Sequence, residues 1–113
     1  MYLYGMQAHA VDAGAADKTG VTVAEDANAT TIDLSSEVTG DDPEIYNAVA
    51  SGSGVVTIAS SNTLTYTPAT DFYGTEYITY DVRSIDSSTE AITVDQAIVT
   101  ITVTSINDAP VTI

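Results

Sequence analysis

The chain contains no cysteine, which excludes disulfides and thiolate metal sites as supports of the fold and leaves the redox compartment open. Basic residues are almost as scarce. Lys18 and Arg83 stand against sixteen Asp and Glu, for a formal net charge of −14. A chain this acidic repels phosphate backbones and anionic bilayers, so neither nucleic acid nor membrane insertion is expected. One histidine, His9, argues against zinc. A Ser-His-Asp triad would have to use His9, and no G-x-S-x-G elbow accompanies it, so the chain reads as non-enzymatic. Sixteen acids make some close carboxylate pair inevitable, so a glycosidase-like pair carries no weight. No D-x-D-x-D-G loop with a closing Glu is present, which excludes an EF-hand. No apolar run approaches the roughly 18 residues of a membrane span. Met1 is followed by neither the basic flank nor the apolar run of a signal peptide, and the chain reads as a piece of something longer.

What remains is ample for a core. The 113 residues are 44% hydrophobic, ordinary for a single globular domain. The most informative stretch is Thr63 to Val82. Leu64 and Tyr66 alternate with threonines, and Ile78, Tyr80 and Val82 alternate with Tyr77, Thr79 and Asp81. Period-two alternation of β-branched and aromatic residues marks half-buried strands. Between them lies PATDFYGT, where Pro68 ends a ladder, Phe72 is an apolar anchor, and Gly74 permits a sharp corner.

The rest follows the same grammar. Val21–Glu25 and Ala29–Leu34 read as strands, the first with Val21 and Val23 inward. Ser35–Pro43 reads as a loop punctuated by GDDP. Ile45–Ala50 and Val55–Ala59 read as strands around an SGSG turn. Residues 1–20 read as an N-terminal segment with at most an edge strand near His9–Val11, followed by a loop. Residues 21–105 form the body, and 106–113 a linker. Ala91–Ser105 is strand-like, but its apolar phase changes from Ile92 and Val94 to Val99, Ile101 and Val103, which predicts a bulge or break at Asp95–Gln96. No helical periodicity survives. About seven short strands with regular turns predict an all-β, antiparallel Greek-key sandwich.

Taken together, VAEDANATTIDL, GDDPE, LTYTPATDFYGTEYITYDV and ITVTSINDAPV resemble, in order and spacing, the cadherin-like or Ig-like tandem repeats of bacterial RTX-type and giant calcium-dependent surface adhesins. The resemblance covers about Ala10 to the C-terminus. It implies a seven-stranded sandwich repeated end to end, with Ca2+ held at the junctions. Carried over residue by residue, it assigns metal-ligand positions to Glu25, to Asp41 and Asp42, and to Asn107 and Asp108. Ser84 stands where the family has an Asp, and Asp86 lies two residues on as a substitute. Before Val11 the Asn-Asp of a preceding linker is missing, with Gly5, Met6 and Gln7 in its place, which weakens the case for a calcium junction on that side.

Calcium takes six to eight oxygens, mostly carboxylates, carbonyls and waters, and loops at a sandwich end can supply them. The plain alternative is that these acids are solvated turn residues. The functional expectation is a calcium-binding structural repeat of an extracellular or cell-surface adhesin. Its partners would be neighbouring repeats of the same chain and a host or cell-surface ligand. A second reading is a carbohydrate-binding module, with Tyr46, Tyr73 and Tyr77 exposed and Tyr66 and Tyr80 in the core. A third is an accessory domain of a secreted hydrolase.

Overall fold

The computed structural model describes residues 12–86 and 89–105. Nine strands and no helix are found among them. They are β1 (Gly14–Ala15), β2 (Lys18–Ala24), β3 (Thr30–Asp33), β4 (Val38–Thr39), β5 (Glu44–Ala50), β6 (Val55–Ser60), β7 (Thr63–Thr67), β8 (Gly74–Ile85) and β9 (Ile92–Thr104). One sheet has the order β2-β9-β8-β5, the other β3-β7-β6, and β1 and β4 form a separate two-stranded ladder. Neighbouring strands are antiparallel except for β2 and β9, which run parallel.

The alternation read in the sequence is the core. Ile78, Tyr80 and Val82 of β8 and Val99, Ile101 and Val103 of β9 face Leu64 and Tyr66 of β7 and Ile32 of β3. Phe72 is half-buried and packs against this cluster from the β7–β8 corner. Each fully buried aliphatic or aromatic side chain contributes about 1.5–3 kcal/mol by leaving water, so these paired rows dominate the cohesion of the two sheets.

Two expectations are corrected. The segment before Val21, read as a loop, carries β1 and the start of β2. Likewise the loop 35–43 contains β4, and its Val38 is buried. The alanines and glycine around β1 give no strand signal and β4 is only two residues long, because the pairing relies on backbone and on close approach. A Cβ on Gly14 would lie 2.3 Å from Thr39 Oγ1.

The predicted bulge at Asp95–Gln96 is also absent. β8 and β9 pair in unbroken register from Gly74↔Val103 to Ile85↔Ile92. Ile92 and Val94 therefore face outward, opposite to Val99, and both are exposed. The inward positions at that end are Thr93 and Asp95. They face the incoming N-terminal segment instead of the apolar core. Thr93 Oγ1 accepts the Ala13 N–H at 2.8 Å and Asp95 Oδ2 the Ala15 N–H at 2.9 Å. The phase change in the sequence thus marks where the core ends and a polar clamp begins. The Ala15 N–H first, and then the Gln96 N–H that donates to Asp95 Oδ1 at 2.9 Å, hold the Asp95 carboxyl below its ordinary value. Removing the acceptor in Asp95→Ala is expected to speed amide exchange at Ala15 while leaving Ile78 protected; equal protection of Ala15 in both proteins would show that the clamp does not hold β1.

Tyr80 adds a second tie. Its hydroxyl donates to the Ala16 carbonyl, and burial first, then Glu37 and Asp17, pushes its pKa up to about 12 from 10.0. A raised folded-state value means that the stabilisation is complete below the unfolded value and is lost as pH rises through the folded one. Stability should therefore fall between pH 10 and about 12, and melting curves of Tyr80→Phe should fall less steeply over that interval.

Candidate metal-binding poles

Strand β8 is the ruler for placing the acids. Its start, Gly74, pairs with Val103, and its far end, Ile85, with Ile92. Eleven residues at about 3.3 Å each put the two ends about 36 Å apart. The residues singled out in the sequence divide between these poles.

Glu25 follows directly on β2, and its N–H donates to the Thr104 carbonyl at the end of β9. It is almost fully buried, at 5% exposure, although it is an acid at a strand end. Two further acids join it. One carboxylate oxygen from each of Glu25, Asp26 and Asp71 lies within 4.8 Å of the others. Asp26 and Asp71 both have left-handed backbones, with φ of 61° and 62°. Asp tolerates that region better than most residues. Asp26 Oδ1 accepts the Asp71 N–H at 3.0 Å, tying the β2–β3 turn to the β7–β8 corner. Oxygens bound to one calcium ion at 2.3–2.6 Å lie no more than about 5 Å apart, so this donor set has the span the ion needs. It is also the hard, all-oxygen chemistry the ion prefers.

Sequence reading did not nominate Asp26 or Asp71. Asp26 was visible beside Glu25 in AED, and Asp71 in TDFYG, but nothing in a linear sequence brings the two turns together. The chain's two basic side chains are engaged elsewhere: Lys18 Nζ lies 3.8 Å from Glu37 Oε1, and Arg83 Nη2 3.2 Å from Glu44 Oε1.

Asp41, Asp42 and Asp86 lie at the other pole and do not join Glu25. The Asp41 carbonyl accepts the Ser84 hydroxyl. Ser84 is buried under Gly40, where φ is 126° and an added Cβ would come within 2.9 Å of Ser84 Oγ. Ser84, at the position where an Asp was expected, therefore closes this turn with a hydroxyl. Asp42, with φ of 47°, lines a shallow open cleft with Pro43, Glu44, Ser61 and Asn62. Asp86 caps its own turn: its carbonyl accepts the Glu90 N–H, and its N–H donates to the Ala91 carbonyl at 2.9 Å. Asn107 and Asp108 lie outside the described residues, as does His9.

The tyrosines sort as the sequence suggested. Tyr66 and Tyr80 are buried, while Tyr46, Tyr73 and Tyr77 are exposed. Tyr46 lies under the Arg83 guanidinium, 5.5 Å from its ring centroid.

The path of the chain through these poles is directional. It enters beside Thr93, where Ala13 is held, and leaves at Thr104, beside Glu25. Those points are eleven residues apart on β9, or about 36 Å. No individual curated protein is significantly similar to the chain. A family profile described as bacterial Ig domain matches residues 11–104, and with the two-sheet sandwich that the same residues form, the chain belongs to the bacterial Ig-domain family.

Proposed function

We propose that this domain is a calcium-binding structural repeat of a bacterial surface or secreted adhesin, one segment of a rod whose junctions calcium stiffens. The carrying observation is polar: the chain enters at one end of the sandwich and leaves at the other, and the compact Glu25–Asp26–Asp71 carboxylate cluster sits at the exit. An element entered and left at opposite ends extends a chain instead of folding it back. A cation at the exit would sit where the next repeat begins.

Electrostatics favours the same reading. Three carboxylates held close repel one another in the folded state, and a bound divalent ion offsets that repulsion there only. The Asp41–Asp42 turn and Asp86 lie at the entry end, where in a tandem array they would face the exit cluster of the preceding repeat. Bacterial Ig domains are structural modules, typically of surface or secreted proteins, which supports a mechanical role and an extracellular setting. The test is thermal melting of a two-repeat protein in millimolar calcium and in chelator. A calcium-dependent rise supports the proposal; identical melting leaves a plain spacer.

A further inference from the structure

The two large sheets have four edges: β2 and β5 on one, β3 and β6 on the other. An edge strand offers unpaired N–H and C=O groups, and proteins usually guard it with charge, proline or a bulge. Here β2 carries Lys18, β3 carries Asp33, and β5 carries Glu44. Strand β6, VVTIAS, carries no charge and no proline. Its register irregularity lies only at its far end, between Ile58 and Ser60. Val55 is 59% exposed and Ile58 40%, and Thr57 between them is exposed.

The sequence around β6 is equally bare. From Ile45 to Thr70 the sequence has no charged residue, although the whole chain carries −14. This is the longest uncharged stretch in the chain, and it covers β5 after Glu44, all of β6 and β7, and their turns. Two copies approaching by any other edge bring charged side chains together, against a net repulsion of like-charged molecules. Approaching by β6, the paired strands themselves bring none.

We infer that β6 is a self-association edge, pairing antiparallel with β6 of a second copy about a twofold axis. A twofold contact needs a self-complementary surface, and an uncharged, β-branched strand satisfies this because no side chain meets its own charge. The pairing would join the two three-stranded sheets into one six-stranded sheet. A single short strand buries less than the area typical of stable complexes, so the dimer is weak, with a Kd on the order of 10⁻⁴ to 10⁻³ M. Its consequence is lateral: β6 runs along the side of the sandwich, leaving the entry and exit poles clear for neighbouring repeats.

Sedimentation equilibrium of the full chain in chelator, up to about 1 mM and at roughly 0.15 M and 1 M salt, tests this apart from the calcium reading. A monomer–dimer equilibrium that tightens with salt is expected, because salt screens the overall repulsion. Thr57→Lys should raise Kd at least about tenfold. Thr31→Lys, the same charge change on exposed β3, should not. Both variants lower the net negative charge, so if overall charge alone governed association both would tighten it. Should Thr57→Lys fail to fold, amide exchange of the unmodified chain decides: protection at residues 55–60 must grow with protein concentration. A monomer at about 1 mM in high salt, or equal responses of the two lysine variants, overturns the inference.

Discussion

Tyr66→Phe is expected to destabilise the domain by about 1–3 kcal/mol, the cost of leaving a buried polar group without its partner. Tyr66 is fully buried, and its hydroxyl donates to Glu76 Oε1. Glu76 is itself only 1% exposed, on the core face of β8. Its other oxygen, Oε2, accepts the Gly52 N–H at 2.6 Å. The carboxylate thus closes the SGSG turn onto the sandwich. Burial first, then the hydrogen bond to Glu76 and its charge, raises the Tyr66 pKa well above the usual phenol range. The hydroxyl therefore stays protonated and keeps donating.

The turn must approach closely for this to work. A Cβ at Gly54 would fall 2.6 Å from Glu76 Oε1 and 2.7 Å from the Tyr66 ring, and one at Gly52 2.9 Å from Glu76 Oε2. Gly54→Val should accordingly cost about 1–3 kcal/mol through overpacking. The two variants share partners, so their effects should fall short of additive. For a domain of this size each kcal/mol lowers Tm by about 4–8 °C. Denaturant melts of Tyr66→Phe, Gly54→Val and the double variant measure all three terms. If Tyr66→Phe melted like the unaltered chain, Glu76 would have to draw its stabilisation from elsewhere.

Millimolar calcium is expected to raise Tm by roughly 4 to 16 °C in a two-repeat protein. Extracellular modules bind calcium at roughly 10⁻⁴ to 10⁻³ M. At a few millimolar, linkage then stabilises the folded state by about 1–2 kcal/mol, and that range of Tm follows for a domain near 100 residues. Magnesium should do less, because it demands a tighter octahedral set of oxygens. Asp71→Asn and Asp26→Asn each remove one charge from the exit cluster without changing shape, and should reduce the calcium increment. In chelator the same variants should melt no lower than the unaltered chain, since they relieve repulsion. Asp86→Asn, at the opposite pole, should leave the increment intact in a single repeat. A calcium response that survives Asp26→Asn and Asp71→Asn together would move the ion away from this cluster.

The main strands and their core rows were legible in the sequence. Leu64, Tyr66, Ile78, Tyr80, Val82, Val99, Ile101 and Val103 were all legible, because period-two alternation is a local property and a strand's inward face depends only on residue parity. The short β1–β4 pair was not legible. β1 is Gly-Ala and β4 only two residues long, too short to show alternation, and the pair forms because Gly14 lets two backbones approach, while composition does not record what lies across the gap. Parity misled at one place, Asp95–Gln96. The sequence shows that the apolar phase changes there but not what covers each face, and only the folded N-terminal segment, with Ala13 and Ala15 donating to Thr93 and Asp95, supplies the reason for polar side chains on the inner face. The same limit applied to the acids. Glu25 could be singled out from its motif, but its association with Asp71 and its separation from Asp41, Asp42 and Asp86 are consequences of how β2, β8 and β9 are aligned. Convergence of charges across turns far apart in the chain is set by sheet register, and register is a property of paired strands.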